Sequence, residues 1–257
     1  MSDDPRLNLL AFSSNTYSQN GEDGIVRELC RRLGVASGTC VEFGAWDGRH
    51  LSNTYRLLLE ENWQGVYIEG RPDRYGDLVK NVERFGSRVE TLCRYVGWEG
   101  EQTLDRILAS TRIPPEFDLL SIDIDSYDWQ VWASLENYRP RIVIVECNSR
   151  IPPGIWQVHE EGVTQGASFS ALVGLGRDKG YALVCHTGNL IFVRRERVHE
   201  LGLDPRVLRY PELLFNGRRH RQELASGSVR SRLARLAFNL LERAAAVKRR
   251  LAGSASR

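Results

Sequence analysis

The chain has 257 residues, 42% of them apolar, 26% charged and 9% aromatic, with a formal net charge of +2. That balance argues against a disordered, collagen-like or membrane-spanning chain, and the length suits one large α/β domain with a short appendage. No segment reaches the roughly 18 uninterrupted apolar residues of a membrane-crossing helix. The start, Met1-Ser-Asp-Asp-Pro-Arg, is acidic and lacks the apolar core of a secretory signal. Five scattered cysteines without a C-x-x-C pair read as reduced core thiols, not as a disulfide frame or zinc site. These features predict a soluble cytoplasmic enzyme.

A polar leader is expected over residues 1–16, followed by a helix over Ser18–Leu33 with Ile25, Val26, Leu29 and Leu33 on one face and Gly34 as its stop. Apolar runs and helical stretches then alternate. Strands are expected at Thr39–Phe43, Gly65–Ile68, Arg88–Tyr95, Phe117–Ile124 and Arg141–Glu146, with helices near Ser52–Asn62, Asp73–Phe85, Thr103–Ser110 and Trp129–Leu135. Arg141–Glu146 is almost pure Ile and Val, the pattern of a strand buried on both faces. A helix near Ser168–Lys179 leads into Tyr181–Cys185, a Thr187-Gly-Asn189 turn and Leu190–Val193, which reads as a hairpin. The sum is a mostly parallel, seven-stranded Rossmann-like sheet closed by an antiparallel C-terminal hairpin strand, with helices on both faces.

The first strand runs into Val41-Glu-Phe-Gly-Ala-Trp-Asp-Gly48, a carboxylate at the strand end followed by a G-x-x-x-G turn. Glycines there let backbone approach a ligand closely. The second strand ends at Glu69-Gly70, 25 residues beyond Gly44, where an acid suits a ribose diol. The G-x-G-x-x-G pattern of a pyrophosphate site is absent, so a cofactor with ribose but no phosphate is favoured over NAD or FAD. Candidate cofactor contacts are Glu42, Gly44, Asp47, Gly48, Ser52, Glu69 and Gly70. Asp123 and Asp125 end the fourth strand and Glu146-Cys-Asn148 the fifth. Alternation puts each pair on one side, and such an oxygen-only donor set suits a hard cation such as Mg²⁺.

The glycine loop resembles the first motif of class I S-adenosylmethionine-dependent methyltransferases. Tyr17-Ser-Gln-Asn-Gly-Glu-Asp23, residues 41–48, Thr103-Leu-Asp105 and Asp118-Leu-Leu-Ser-Ile-Asp-Ile-Asp125 are similar to the FkbM-type branch, which includes O-methyltransferases of sugars and natural products. The resemblance covers residues 17–195 and implies S-adenosylmethionine as cofactor. It places Gln19, Glu22 and Asp23 near the active site. By similarity to cation-dependent O-methyltransferases it implies Asp123, Glu146 and Asn148 as metal ligands. Cys147 separates a pair that is usually adjacent, which makes Asp125 the substitute for Asn148.

His159, in the long Ser149–Gly166 segment, is the candidate general base, with His50, His186 and Asp125 as rivals. Trp46, Trp129 and Trp156 offer flat faces for a sugar ring or ordinary packing. Residues 196–257 carry 14 Lys and Arg against 6 Asp and Glu, and Ser228–Leu251 has the spacing of a basic amphipathic helix. Packing within its own domain or a homodimer, contact with an anionic membrane surface, and nucleic-acid binding compete for it; no RNA-binding motif supports the last. The expected activity is Mg²⁺-dependent O-methylation of a saccharide or glycosylated metabolite, with an actinobacterial methylmannose-type polysaccharide precursor as one setting. The rivals are a nucleic-acid methyltransferase and a non-catalytic Rossmann-like binding module.

Overall fold

The computed structural model describes Arg6 and residues 9–163 and 165–225. Seven strands form one sheet: β1 (Thr39–Phe43), β2 (Gln64–Glu69), β3 (Val89–Cys93), β4 (Leu119–Ile122), β5 (Ile142–Glu146), β6 (Tyr181–His186) and β7 (Asn189–Arg194). Their spatial order is β3-β2-β1-β4-β5-β7-β6. β1 to β5 pair in parallel, whereas β7 runs antiparallel to β5 and to β6. The expected β3 is trimmed at both ends because it pairs on one side only, from Gly65↔Val89 to Glu69↔Cys93.

The helices are α1 (Glu22–Arg32), α2 (Tyr55–Glu60), α3 (Pro72–Val82), α4 (Leu104–Leu108), α5 (Asp128–Ser134), α6 (Phe169–Asp178), α7 (Pro205–Arg209) and α8 (Gly217–Ala225). α1 begins later than the periodicity predicts. The Asp23 carboxylate accepts the backbone N–H groups of Thr16, Tyr17 and Ser18 at 2.7–2.9 Å, which folds that stretch into a turn. Ile25, Val26 and Leu29 still face the sheet, fully buried.

The core is continuous beyond the expected boundaries. Leu9, from a 3₁₀ turn at Leu9–Phe12 within the expected leader, is wholly buried. Val198, Leu201, Val207 and Leu214, from the segment after β7, enter the same apolar cluster as the strands. The basic helix expected at Ser228–Leu251 lies outside the described residues. Among those described, no helix is long and apolar enough to cross a membrane. Cys30, Cys40, Cys147 and Cys185 are buried free thiols, as core cysteines should be, and Cys93 on β3 is exposed.

Register fixes the functional edge. Phe43 stands beside Ile68 and Ile122, and Ile122 beside Val145. Gly44, Glu69, Asp123 and Glu146 therefore each sit one step past a common row. In an open α/β sheet, that carboxyl edge is where ligands bind.

Candidate active site

Glu42 points into the protein rather than toward open space. Its carboxylate accepts the Ser52 hydroxyl at 2.7 Å, the Asn53 backbone N–H at 3.1 Å and the Thr54 hydroxyl. Thr54 in turn meets the Tyr67 hydroxyl, and Asn53 Nδ2 donates to Ser121 Oγ at 3.0 Å. Register explains the cluster, since Glu42 pairs with Tyr67 on one side and Ser121 on the other. Burial raises the proton affinity of Glu42, against the lowering effect of its hydrogen bonds, and also lifts Tyr67. Ser52, like Glu42, thus serves this buried network. It also shortens α2, because Ser52–Thr54 bind Glu42 instead of joining the helix. Only one signal for this network was visible in the sequence: a serine at 121 inside an otherwise apolar strand.

The loop after β1 is tightly wound. Gly44, Trp46, Gly48 and Leu51 all have φ between 51° and 73°. Left-handed conformations at Trp and Leu cost energy and cluster at functional loops. A Cβ on Gly44 would collide with the Asp123 carbonyl, so this glycine lets the β1 and β4 loops touch. Gly48 leaves room for Leu78 and Val82 of α3, and Gly70 for the Tyr95 ring. These three glycines therefore serve close packing in the protein itself. Asp47 Oδ1 accepts the N–H groups of Arg49 and His50 and fixes the turn.

Glu69 keeps spare capacity. One oxygen accepts the Trp46 N–H at 2.9 Å and the other the Arg71 N–H at 2.8 Å. A carboxylate has about four acceptor positions, so two remain for a pair of hydroxyls. Glu69 at the end of β2 thus fits a ribose diol, while the loop it ties down carries the exposed Trp46 ring.

Asp123, Asp125 and Glu146 meet at the ends of β4 and β5, with one oxygen from each lying within 4.8 Å of the others. The route differs from the strand alternation expected. β4 stops at Ile122, and the chain turns through Asp125 at φ 61°. Asp128 closes that turn by accepting Ile124 N–H at 2.9 Å and Ser126 N–H at 3.0 Å. Burial, followed by the charges of Asp128 and Asp125, holds Asp123 well above the usual carboxylate range; Asp128 is pushed up to about 6 by burial. Three acids sharing so small a space repel one another unless a proton or a cation intervenes. An oxygen-only trio of this size fits a divalent hard cation.

Asn148 is engaged within its own loop. Its side chain donates to Gln165 O at 2.9 Å and accepts Arg150 N–H at 3.2 Å, so it builds the loop after β5. His159 packs edge-on against Tyr127 with centroids 4.3 Å apart, and its Nδ1 accepts Gly166 N–H at 3.3 Å. His186 is also spoken for: Nδ1 accepts Asn216 N–H at 2.9 Å and Nε2 lies 2.9 Å from Ser149 Oγ. Burial, then the Arg219 charge, pushes it down to about 3. Glu22, which the resemblance places near the active site, is fully buried and accepts from Thr187 and Asn189 of the β6–β7 hairpin.

The sheet order, with β7 inserted antiparallel between β5 and β6, defines a Rossmann-like methyltransferase fold. No protein-family model matches the chain, and no curated protein sequence does. Solved structures do. The N-terminal domain of EvdMO1 with SAH bound is 13% identical, with 71% of this chain and 81% of that one covered at a TM-score of 0.42. An S-adenosylmethionine-dependent methyltransferase from Clostridium acetobutylicum is 8% identical over 65% of this chain and 88% of its own, with a TM-score of 0.39. A SAM-dependent methyltransferase from Aquifex aeolicus is 14% identical over 65% and 85%, with a TM-score of 0.38. Likeness of this degree carries nothing about activity, which rests on the chain's own residues.

Proposed function

We propose that the chain is an S-adenosylmethionine-dependent O-methyltransferase that uses a divalent cation, Mg²⁺ by its oxygen-only donors, and acts on a hydroxyl of a saccharide or glycosylated metabolite. The observation that carries this reading is the carboxylate trio at the ends of β4 and β5, beside a β2 that ends in a carboxylate with two acceptor positions to spare. Both features lie on one sheet edge. The bound cofactor would supply an electrophilic methyl group.

The residues divide the remaining work. Glu69 accepts the ribose hydroxyls and anchors the 44–48 loop at the same time. Asp123 and Glu146 would hold the cation, whose chemistry there would be to orient the acceptor hydroxyl and lower its pKa. Asp125, an exposed member of the trio, takes the hydroxyl proton. His159 positions the Tyr127 side of the cleft. Alignment of the acceptor oxygen against the methyl group supplies much of the remaining rate. Trp46 and Trp156, exposed by 42% and 60%, give a sugar ring flat faces to lie on.

The test is transfer of labelled methyl from S-adenosylmethionine to a panel of hexoses and oligosaccharides, with Mg²⁺ and with EDTA. Transfer that disappears with EDTA and returns with Mg²⁺ is the expected result. Transfer indifferent to EDTA would remove the cation from the scheme, and no transfer to any hydroxyl would remove O-methylation.

A further inference from the structure

A groove of about 750 Å³ lies between the loop after β3, α4 and the end of α5. Trp98, from that loop, forms part of its wall and is 37% exposed. The indole stacks on the Tyr127 ring with centroids 4.1 Å apart and planes 29° from parallel. Tyr127 stands two residues past Asp125, in the turn that Asp128 closes, and His159 packs edge-on against it. The loops after β3, β4 and β5 thus contribute one ring each to a row that leads from the carboxylate trio to the groove.

The groove is built, and its polar lining is available. Asp105, from the Thr103-Leu-Asp105 stretch, accepts the backbone N–H groups of Glu136 and Asn137 at 2.8 and 3.0 Å. That tie fixes the start of α4 against the end of α5 and so sets the groove's width. Among the described residues, the side chains of Glu99, Glu101 and Arg106 on its walls make no hydrogen bond or ion pair. The groove's acids do not gather as three on one point either, since the trio is the described group close enough to hold a metal ion. Separate acceptors, a guanidinium, the Asn137 amide and one flat apolar face suit a polyhydroxylated ligand better than an ion.

We propose that this groove is an extended saccharide subsite: it holds the sugar units next to the one that is methylated, so the acceptor is a neutral oligosaccharide and not a single sugar. The role in methylation rests on the reading above, whereas saccharide binding in the groove does not. Trp98 would take the apolar face of a sugar ring, Arg106 and Asn137 would donate to its hydroxyls, and Glu101 would accept from them. Four carboxylates against one guanidinium disfavour a sugar acid, because like charges placed side by side repel.

The experiment is calorimetric titration of the full chain, without cofactor, with mannose, glucose and galactose and with a tetrasaccharide of each. Tetragalacturonate and a tetra-arginine peptide are titrated alongside. A neutral tetrasaccharide should bind saturably and at least about tenfold more tightly than its own monosaccharide. Trp98→Ala should weaken that tetrasaccharide about tenfold and Glu101→Ala, an exposed change, about threefold, with the monosaccharide unmoved by either. The inference is overturned by the lack of any tetrasaccharide preference, by binding that both variants leave unchanged, by equal binding of tetragalacturonate, or by preference for the peptide. A parallel titration with S-adenosylhomocysteine keeps the two claims apart. Its failure with tetrasaccharide binding intact would sink the methyltransferase reading alone. Its success with no tetrasaccharide preference would sink the extended subsite alone.

Discussion

The ends of β1 and β2 and the ends of β4 and β5 look alike in sequence, with acids at strand ends beside small or polar residues. Their hydrogen bonds make them different. Glu42 has three donors from Ser52, Asn53 and Thr54 and is sealed in the protein. Asp123, Asp125 and Glu146 are brought together with their oxygens within 4.8 Å. The first acid stabilises a loop, and the second group stores repulsion that a bound cation would relieve. A strand-end carboxylate is therefore read by its partners, not by its position. Glu69 is as buried as Glu42, at 5% against 6% exposed, but accepts only two backbone N–H groups.

Mutations that exchange the two behaviours probe this contrast. Asp123→Asn should lower turnover by about a thousandfold, or about 4 kcal/mol, while leaving thermal stability equal to or above wild type, because it removes a crowded charge. Glu42→Ala should do the reverse. It strands three buried donors and should cost about 3 kcal/mol of unfolding free energy in urea denaturation. If Glu42→Ala were as stable as wild type, its network would not be the scaffold described here.

A pH experiment sharpens the comparison from outside both regions. His186 is neutral in the folded chain down to about pH 3 but titrates near 6.5 when unfolded. The unfolded state thus binds the extra proton between those values, so stability is lost as pH falls below 6.5, by about 1.4 kcal/mol per unit. At pH 5 the loss should be about 2 kcal/mol relative to His186→Asn, read from paired denaturation curves. Asp128 acts with the opposite sign, since its raised folded value means that ionisation costs stability as pH rises from the ordinary aspartate value of 3.8 toward 6. It is common to both proteins, so the difference between the curves isolates the histidine. Parallel curves would contradict the buried neutral imidazole.

Smaller effects complete the series. Glu69→Gln should weaken S-adenosylhomocysteine about tenfold, since an amide offers fewer acceptor positions to a diol. Asn148→Ala should change cation affinity less than twofold, with stability within about 0.5 kcal/mol, because its partners lie in its own loop. A large loss of cation affinity there would return Asn148 to the metal set.

The sheet was legible because each parallel strand is an apolar run bounded by turn residues. Ile142–Glu146 differs by one residue from the strand expected, and Thr39–Phe43 coincides with it. Less legible were features built by contacts distant in the chain. Ser52–Thr54 carry a helical pattern, yet the pull of Glu42 wins over propensity. Leu9 lies in the short apolar run Leu7-Asn-Leu-Leu-Ala-Phe12 inside a segment expected to be a polar leader, and the fold anchors it in the core. Asp125 reads as a ligand or a base in the sequence; Asp128 closes the turn that carries it, and Asp125 lies with Asp123 and Glu146. Nothing local in the sequence shows that Gly166 N–H would face His159 Nδ1.

The measurement that bears most directly on the cofactor assignment is calorimetric titration of S-adenosylhomocysteine into wild type and Glu69→Gln, with NAD as the control. Binding on the order of micromolar to wild type, about tenfold weaker in the variant and undetectable for NAD, is the expected outcome. No S-adenosylhomocysteine binding, or binding that Glu69→Gln leaves untouched, would contradict the assignment of this sheet edge to a methyl donor.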